Sequence, residues 1–258
     1  MGRESAGRST ATGPKVRHFQ PGDAVYGMTA KTGAFAETIV IDERMAARAP
    51  SNISVTEAAA LPMVGLTALQ ALRRGRLGPG SAVLIIGGSG GVGSVAIQIA
   101  KAHGARVTAV CSARNVDFVR GLGADTVIDY RTSDFTQCGE RFDIVFDTIG
   151  QESTTTCRGL LKPGACFIST NTSAGKALAA VLTPAMARLK PDTVRCGTLL
   201  ALPRGRDLQK LRDMVEAGSL RVPIDCEFPL AVMRDAIACS QQGRTRGKIA
   251  IAVRKARD

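Results

Sequence analysis

The sequence predicts an α/β protein built around a doubly wound parallel β-sheet. Three observations predict this class. From Ser81 onward, short apolar runs alternate with helical segments, and the connections between them are short. Hydrophobic residues make up 45% of the chain but aromatic residues only 4%, so the core must be aliphatic. Such a core suits helices packed on parallel strands, which are apolar along their whole length.

The alternating part begins with a buried strand at 82–86 and an amphipathic helix at 91–103, whose apolar residues recur at helical spacing. A second strand at 106–110 and a helix at 115–122 repeat the unit. The remaining predicted elements are strands at 126–128, 144–146, 165–168 and 194–200, a helix at 207–217, an extended segment at 221–225, a helix at 230–239 and a strand at 248–253.

The segment before this part has a different pattern. Residues 14–50 are predicted to form short strands and turns, among them a strand at 33–41, where apolar and polar residues alternate before an apolar run. A pair of helices rich in Ala and Leu follows at 55–61 and 64–72. The 258 residues therefore accommodate a second, smaller domain.

A glycine-rich turn, Gly88-Ser89-Gly90-Gly91-Val92-Gly93, joins the first strand of the alternating part to its helix. Gly88 permits a tight turn, Gly90 lets the backbone approach a pyrophosphate, and Gly93 lets helix and strand pack closely. The free N–H groups at the helix start attract phosphate. Because the turn lies between a strand and a helix, it predicts dinucleotide binding of the Rossmann type rather than an empty strand-to-helix turn.

The end of the second strand predicts which dinucleotide binds. NAD enzymes place an acidic residue there to hold the ribose 2′-hydroxyl. This chain has Ser112, Arg114 and Asn115 in that region, and no acid between the glycine turn and Asp117. Ser112 and Arg114 would bind a 2′-phosphate, so NADP(H) is the expected cofactor, with Asn115 beside it. The alternative is that Arg114 is only a solvent-facing residue at a helix start.

Composition excludes several other classes. The net charge of +12 is dispersed, which favours a solvated surface with a basic cofactor pocket over nucleic-acid binding. Seven cysteines without metal-ligand spacing, beside two histidines, argue against structural zinc and indicate a reducing compartment. No apolar run is expected to span a membrane, and the first thirteen residues lack a secretory apolar region. We therefore expect a cytoplasmic protein.

Beyond these features, the sequence resembles the zinc-independent branch of the medium-chain dehydrogenase/reductase superfamily, the quinone oxidoreductases and zeta-crystallin-like proteins. The resemblance extends along the whole chain in order and spacing, through residues 19–27, 33–37, 65–72, 90–101, 122–125, 128–130, 146–150, 161–164 and 247–249.

The resemblance implies a domain organisation. Residues 1–52 would be part of a mostly β GroES-like catalytic domain, 53–221 the Rossmann domain, and 222–258 a return segment. The segment from Gly2 to Gly7 resembles a family motif midway through the catalytic domain, so its front half is expected to be missing, through a fragment, a wrongly placed start codon or a degenerate gene. Arg3 stands where zinc-dependent relatives have a histidine ligand, which implies zinc independence.

The resemblance also implies site residues. Thr67 would meet the cofactor near its nicotinamide, and Tyr130 would surround the 2′-phosphate together with Ser112 and a basic neighbour. The residues expected to line the nucleotide after the fourth strand are Thr148, Ile149 and Gly150, and those expected in the substrate pocket are Tyr26 and Phe35. No catalytic residue is assigned.

The function that follows is transfer of a hydride from NADPH to a quinone or an α,β-unsaturated carbonyl, by a homodimer paired through the strand at 194–200. The alternative is a catalytically silent NADP(H)-binding or interaction protein that lacks the front half of its catalytic domain. RNA binding, suggested by the charge alone, ranks below both.

Overall fold

The computed structural model describes residues 2–171, 193–198 and 201–253. These residues form two compact units, one of residues 2–66 and 202–253 and the other of residues 67–201 as far as they are described. The domain boundaries expected from sequence, after residues 52 and 221, stay a prediction.

The amino-terminal part of the first unit is a three-stranded antiparallel sheet. Its strands are β1 (Glu4–Arg8), β2 (Ala24–Met28) and β3 (Ala46–Arg48), with β2 in the middle. The strand expected at 33–41 is wrong, because that segment is irregular. No described strand pairs with it, and Val40 is 91% exposed, so its alternating pattern has no sheet to join.

The chain then enters one long helix, α1 (Val55–Arg74), rather than the expected pair. Its start is a capping box, because Ser54 Oγ accepts the Glu57 N–H (3.2 Å) while the Glu57 carboxylate accepts the Ser54 N–H (2.9 Å). Pro62 lies inside the helix and removes one backbone donor. The N–H of Met63 donates to the Glu4 carboxylate (2.7 Å), so a contact distant in sequence supports the helix beside its proline.

The expectation that no segment is apolar enough to cross a membrane is wrong for this helix. By length and composition alone, α1 is long and apolar enough to do so. However, 67% of its most apolar stretch is buried in the structure, as in the core helix of a folded protein.

The second unit contains a six-stranded parallel sheet, which confirms the predicted fold class. Its strands are β4 (Ala82–Ile86), β5 (Arg106–Cys111), β6 (Thr126–Asp129), β7 (Phe142–Asp147), β8 (Leu161–Ser169) and β9 (Arg195–Thr198), in the order β6-β5-β4-β7-β8-β9. The helices α2 (Gly91–Ala102) and α3 (Val116–Gly121) follow β4 and β5. The order reverses between β4 and β7, and parallel sheets bind ligands at the carboxyl ends of strands beside such a switch point.

Two strand predictions differ in detail. The turn expected at 162–164 lies inside β8, where the register with β7 shifts and Gly164 adopts a φ of 71°. The strand predicted at 194–200 is present as β9, and residues 199 and 200 lie outside the described residues.

The first unit is completed by the carboxyl-terminal segment. The helix α4 (Gly205–Glu216) precedes the strand β10 (Ile224–Pro229), the helix α5 (Met233–Gln241) and the strand β11 (Lys248–Ala252). The strands β10 and β11 form a parallel pair. These elements match the predicted helix, extended segment, helix and strand in kind and order.

Candidate dinucleotide site

The glycine-rich turn is attached by hydrogen bonds to the neighbouring strand. The N–H groups of Gly87 and Gly88 both donate to the carbonyl of Val110, near the end of β5, at 3.1 and 2.9 Å. Gly87 has a φ of 84°, in the left-handed region that favours glycine. The turn therefore keeps a fixed position at the carboxyl ends of β4 and β5.

Two glycines of the turn are constrained in different ways. A Cβ atom on Gly93 would lie 2.1 Å from the carbonyl oxygen of Gly87, so the packing of α2 on the turn requires glycine there. A Cβ on Gly90 would meet only the Gly87 oxygen, at 3.5 Å, which is ordinary van der Waals contact. The space in front of Gly90 is thus open, which fits a ligand that approaches the backbone closely.

The start of α2 suits an anion. Gly90 is its N-cap and makes no side-chain capping bond, and the first turn contains no acidic residue. The first N–H groups of a helix have no partners within it, and the helix dipole adds positive potential there. A pyrophosphate would satisfy both the donors and the charge.

Asn115 links the glycine turn to the end of β5. Its side-chain amide donates to the Ser89 hydroxyl at 2.9 Å and lies 3.3 Å from the Ser112 hydroxyl. Asn115 and Ser112 are both buried. The structure therefore brings together three residues that the sequence predicted as cofactor contacts.

The residues beside this network include a cation, an aromatic ring and a carboxylate. Arg114 is exposed, and Tyr130, 54% exposed, donates its N–H to the carbonyl of Cys111 at 3.2 Å. Asp129, the register partner of Cys111, accepts the Arg131 N–H at 3.1 Å. Burial, followed by the charge of Asp129, raises the pKa of Cys111 to about 11, so its thiol stays protonated.

Asp147, at the end of β7, is a positioning residue that the sequence analysis did not single out. Its buried carboxylate accepts the N–H groups of Ile149 (3.1 Å), Gly150 (2.8 Å) and Glu152 (2.9 Å). The only signal in the sequence is an acid directly after an apolar strand. The carboxylate fixes the predicted loop of residues 148–150.

This loop lies against the glycine turn. The Thr148 hydroxyl donates to the carbonyl of Ile86 at 2.7 Å, and a Cβ on Gly87 would lie 2.7 Å from both Thr148 Oγ1 and Ile149 Cγ1.

Thr67 is buried in the second half of α1, and its place near the nicotinamide stays a prediction of the resemblance.

Comparison with known proteins identifies the family. Residues 122–251 match the family model described as zinc-binding dehydrogenase. The chloroplastic quinone-oxidoreductase QR1 of Triphysaria versicolor is 34% identical over 264 residues, which cover 95% of this chain and 77% of that protein. The chain belongs to the quinone oxidoreductases of the medium-chain dehydrogenase/reductase superfamily. The resemblance stated from the sequence is confirmed.

Other relatives agree with this assignment. The mitochondrial NAD(P)H oxidoreductase RTN4IP1 of Danio rerio is 33% identical, over 98% of this chain and 72% of that protein. The solved structure of the quinone oxidoreductase from Coxiella burnetii superposes with a TM-score of 0.87 at 31% identity, and the match covers 98% of this chain and 79% of that one. The three relatives reported above are oxidoreductases by name, and this chain is an oxidoreductase.

The two residues predicted for the substrate pocket both lie in the first unit, in different settings. Tyr26 is fully buried, and its hydroxyl donates to the carbonyl of Leu208 at 2.5 Å. Burial raises the pKa of Tyr26 well above its ordinary range, so the side chain packs and does not supply protons. Phe35 is 39% exposed and lines a cavity of about 1400 Å³, here called the β1–β11 cavity, which β1, the segment 34–43, the first half of α1, α5 and β11 surround.

Zinc, which the name of the matching family model implies, does not fit the donors that are present. Within residues 2–171, 193–198 and 201–253, no three His, Cys, Asp or Glu side chains lie together so that they could hold a metal ion. Arg3, which the resemblance places where zinc-dependent relatives have a histidine ligand, carries no lone pair to donate to a metal.

Proposed function

We propose that this oxidoreductase transfers a hydride from NADPH to a quinone or an α,β-unsaturated carbonyl, without zinc. The observation that most supports NADPH binding is the hydrogen-bond network in which the Asn115 amide contacts the hydroxyls of Ser89 and Ser112. It holds Ser112 and Ser89 together beside the open space at Gly90, at the sheet edge where dinucleotides bind.

The preference for the phosphorylated dinucleotide follows from charge. A ribose 2′-phosphate carries negative charge that a carboxylate would repel and a guanidinium would attract. The exposed Arg114 lies two residues beyond Ser112, and the next acid along the chain, Asp117, has a fully exposed carboxylate 4.0 Å from Arg120. Asp129, the register partner of Cys111, is a second acid beside the end of β5, and its carboxylate accepts the Arg131 N–H at 3.1 Å.

The reaction needs little from the protein beyond binding. NADPH supplies the hydride, while the protein orients cofactor and acceptor and excludes water. The glycine turn and the start of α2 would hold the pyrophosphate, Ser112, Arg114 and Tyr130 the 2′-phosphate, and Thr148 to Gly150 the nucleotide beside the turn. No nucleophile or metal is required.

Steady-state kinetics test the proposal. The protein is incubated with NADPH or NADH and a panel of quinones and enones, and the loss of nicotinamide absorbance is followed with and without a metal chelator. We expect turnover with at least one acceptor, a kcat/KM at least about tenfold higher with NADPH than with NADH, and no effect of the chelator. Tight NADPH binding without turnover of any acceptor would support the silent alternative instead.

We propose further that the protein is a cytoplasmic homodimer paired through β9, one of the two edge strands of the described sheet. Light scattering in solution gives the mass of the particle, and cell fractionation gives its location. A monomer, or recovery in a membrane fraction, would contradict these two proposals.

A further inference from the structure

The side chain of Arg3 has incomplete hydrogen bonding. Its Nη2 makes one long bond, 3.4 Å, to the carbonyl of Ala30, and its Nε–H is buried without a partner. A guanidinium has five N–H donors, and buried donors are almost always satisfied in folded proteins. Arg3 lines the β1–β11 cavity, and its side-chain N–H groups other than the buried Nε–H are those to which a ligand in the cavity can offer an acceptor.

Two of the carboxylates that line the same cavity have other partners. Glu4 pairs with Lys248 (2.5 Å) and accepts the Met63 N–H (2.7 Å). Glu43 accepts the N–H groups of residues 17 and 18 at 2.8 and 2.6 Å. In the part of the chain that the structure describes, Arg3 forms no ion pair, so its positive charge remains available to a bound molecule.

The backbone at Arg3 is fixed beside an aromatic ring. The Arg3 carbonyl accepts the Thr29 N–H at 2.7 Å, and the Gly2 carbonyl accepts the Gly33 N–H at 3.0 Å. The Phe35 ring lies 3.1 Å from where a Cβ on Gly2 would be, so the ring packs on the backbone next to Arg3. A flat apolar ring and a cation in one cavity match a conjugated carbonyl compound, which is flat and apolar except at its oxygen.

We propose that Arg3 binds the carbonyl oxygen of the electron acceptor in the β1–β11 cavity. The inference rests on the proposed function and extends it to a substrate-binding residue. With an enone, the C–H bond of NADPH that carries the hydride breaks, a C–H bond forms at the β-carbon, and the π-electron pair moves to the carbonyl oxygen; the resulting enolate then takes a proton from water at its α-carbon. With a quinone, hydride adds to one oxygen, an O–H bond forms, and the electron pair moves through the ring to the opposite oxygen, which becomes a phenolate and takes a proton from water. A guanidinium at this oxygen stabilises the charge as it develops.

The test uses 4-nitrophenolate, which resembles the reduced acceptor before it is protonated, and nitrobenzene, which has the same nitro-substituted ring without the phenolate oxygen. Binding of both to the cofactor-free protein is measured by titration for wild type, Arg3→Met, Arg3→Lys and the control Arg17→Met. Arg17 is exposed and lies outside the cavity. Melting temperatures are recorded for every variant.

We expect Arg3→Met to weaken 4-nitrophenolate binding at least about tenfold and to leave nitrobenzene binding unchanged, because only the phenolate needs a cation. Arg3→Lys should retain part of the affinity, since it keeps the charge but loses the planar fork. Arg3→Met should also melt no lower than wild type, because it removes an unsatisfied buried donor.

Three results would overturn the proposal: no phenolate binding by wild type, equal phenolate binding by wild type and Arg3→Met, or a lower melting temperature for Arg3→Met with equal losses for both probes. The assay contains no NADPH and involves no turnover. Phenolate binding that depends on Arg3 in a protein that reduces no acceptor would therefore retain the site and reject the proposed reaction.

Discussion

The side-chain amide of Asn115 donates a hydrogen bond to the hydroxyl of Ser89, with 2.9 Å between Nδ2 and Oγ. The two residues are 26 positions apart, one in the glycine turn and one just before α3. Through its second contact with Ser112, the same amide fixes the distance between the part of the site suited to pyrophosphate and the part suited to the ribose.

Replacing Asn115 with Ala should weaken NADPH and NADH binding by similar factors, because the network positions the turn rather than reading the phosphate. The unfolding free energy should fall by about 1–3 kcal/mol, since the buried hydroxyl of Ser112 and the half-buried hydroxyl of Ser89 lose a partner. Fluorescence titration and thermal melts measure the two effects. The control is Asn52→Ala, which removes an amide that donates to the carbonyl of Val215. Both of these residues belong to the first unit, whereas Asn115 belongs to the second, so this control should affect stability alone. Unchanged dinucleotide affinity in Asn115→Ala would contradict the positioning role.

Alanine at Gly90 and at Gly93 should have opposite consequences. Gly93→Ala places a Cβ 2.1 Å from the Gly87 oxygen, so we expect a stability loss of about 3 kcal/mol or more. Gly90→Ala meets no such clash, and it should keep wild-type stability but lose dinucleotide affinity about tenfold or more, because the methyl group occupies the space for pyrophosphate. The melting temperature and the Kd for the dinucleotide distinguish the two variants. Wild-type affinity in a folded Gly90→Ala protein would show that no ligand approaches that backbone.

Arg114→Ala should reduce NADPH affinity by about 10- to 100-fold and leave NADH affinity unchanged, since a charge-assisted hydrogen bond contributes about 1.5–3 kcal/mol. The matched control is Arg120→Ala, an exposed arginine on the same short segment with a weak 4.0 Å pairing to Asp117. That variant should bind both dinucleotides as wild type does. If Arg114→Ala weakened NADH and NADPH equally, Arg114 would not read the 2′-phosphate.

The stability contributed by Asp125 should depend on pH. Burial raises the pKa of this carboxyl, but hydrogen bonds from Lys101 (2.8 Å) and from the Val107 N–H (2.7 Å) outweigh burial and hold the pKa below its ordinary value. A lowered folded pKa gives stability that is present above the unfolded pKa, about 3.9, and is lost as the pH falls through the folded pKa.

We therefore expect Asp125→Asn to be less stable than wild type above about pH 5, with a difference that shrinks below about pH 4. Denaturant unfolding across this range measures it. Asp117→Asn, at a fully exposed carboxylate, serves as the control and should show no comparable trend. A difference that persisted undiminished in acid would show that the charge of Asp125 is not the cause.

Local patterns predicted the part of the fold that depends on neighbours in sequence. The apolar run of β4, the glycine turn and the helical spacing of α2 lie within about two dozen residues, and each forms as expected. The same is true of Ser112 and Asn115, whose place at the end of β5 follows from the length of the strand.

Two of the sequence predictions that were wrong, a strand at 33–41 and a helix break near Pro62, share a different cause. Residues 33–41 alternate as a strand does, yet strands need partners, and no described strand lies beside this segment. Pro62 signals a helix break, yet α1 continues through it while a carboxylate 59 residues away accepts the adjacent Met63 N–H. Neither outcome can be read from local spacing.

The sequence by itself determined the fold class, the family and the glycine turn, because apolar periodicity and the conformational freedom of glycine are properties of short segments. Only the tertiary structure decided which side chains meet: Asn115 with Ser89, Asp147 with the loop that follows it, and Arg3 with a cavity where its Nε–H has no acceptor. Such contacts depend on burial and on long-range packing, which together set the cost of an unsatisfied polar group and the position of its partner.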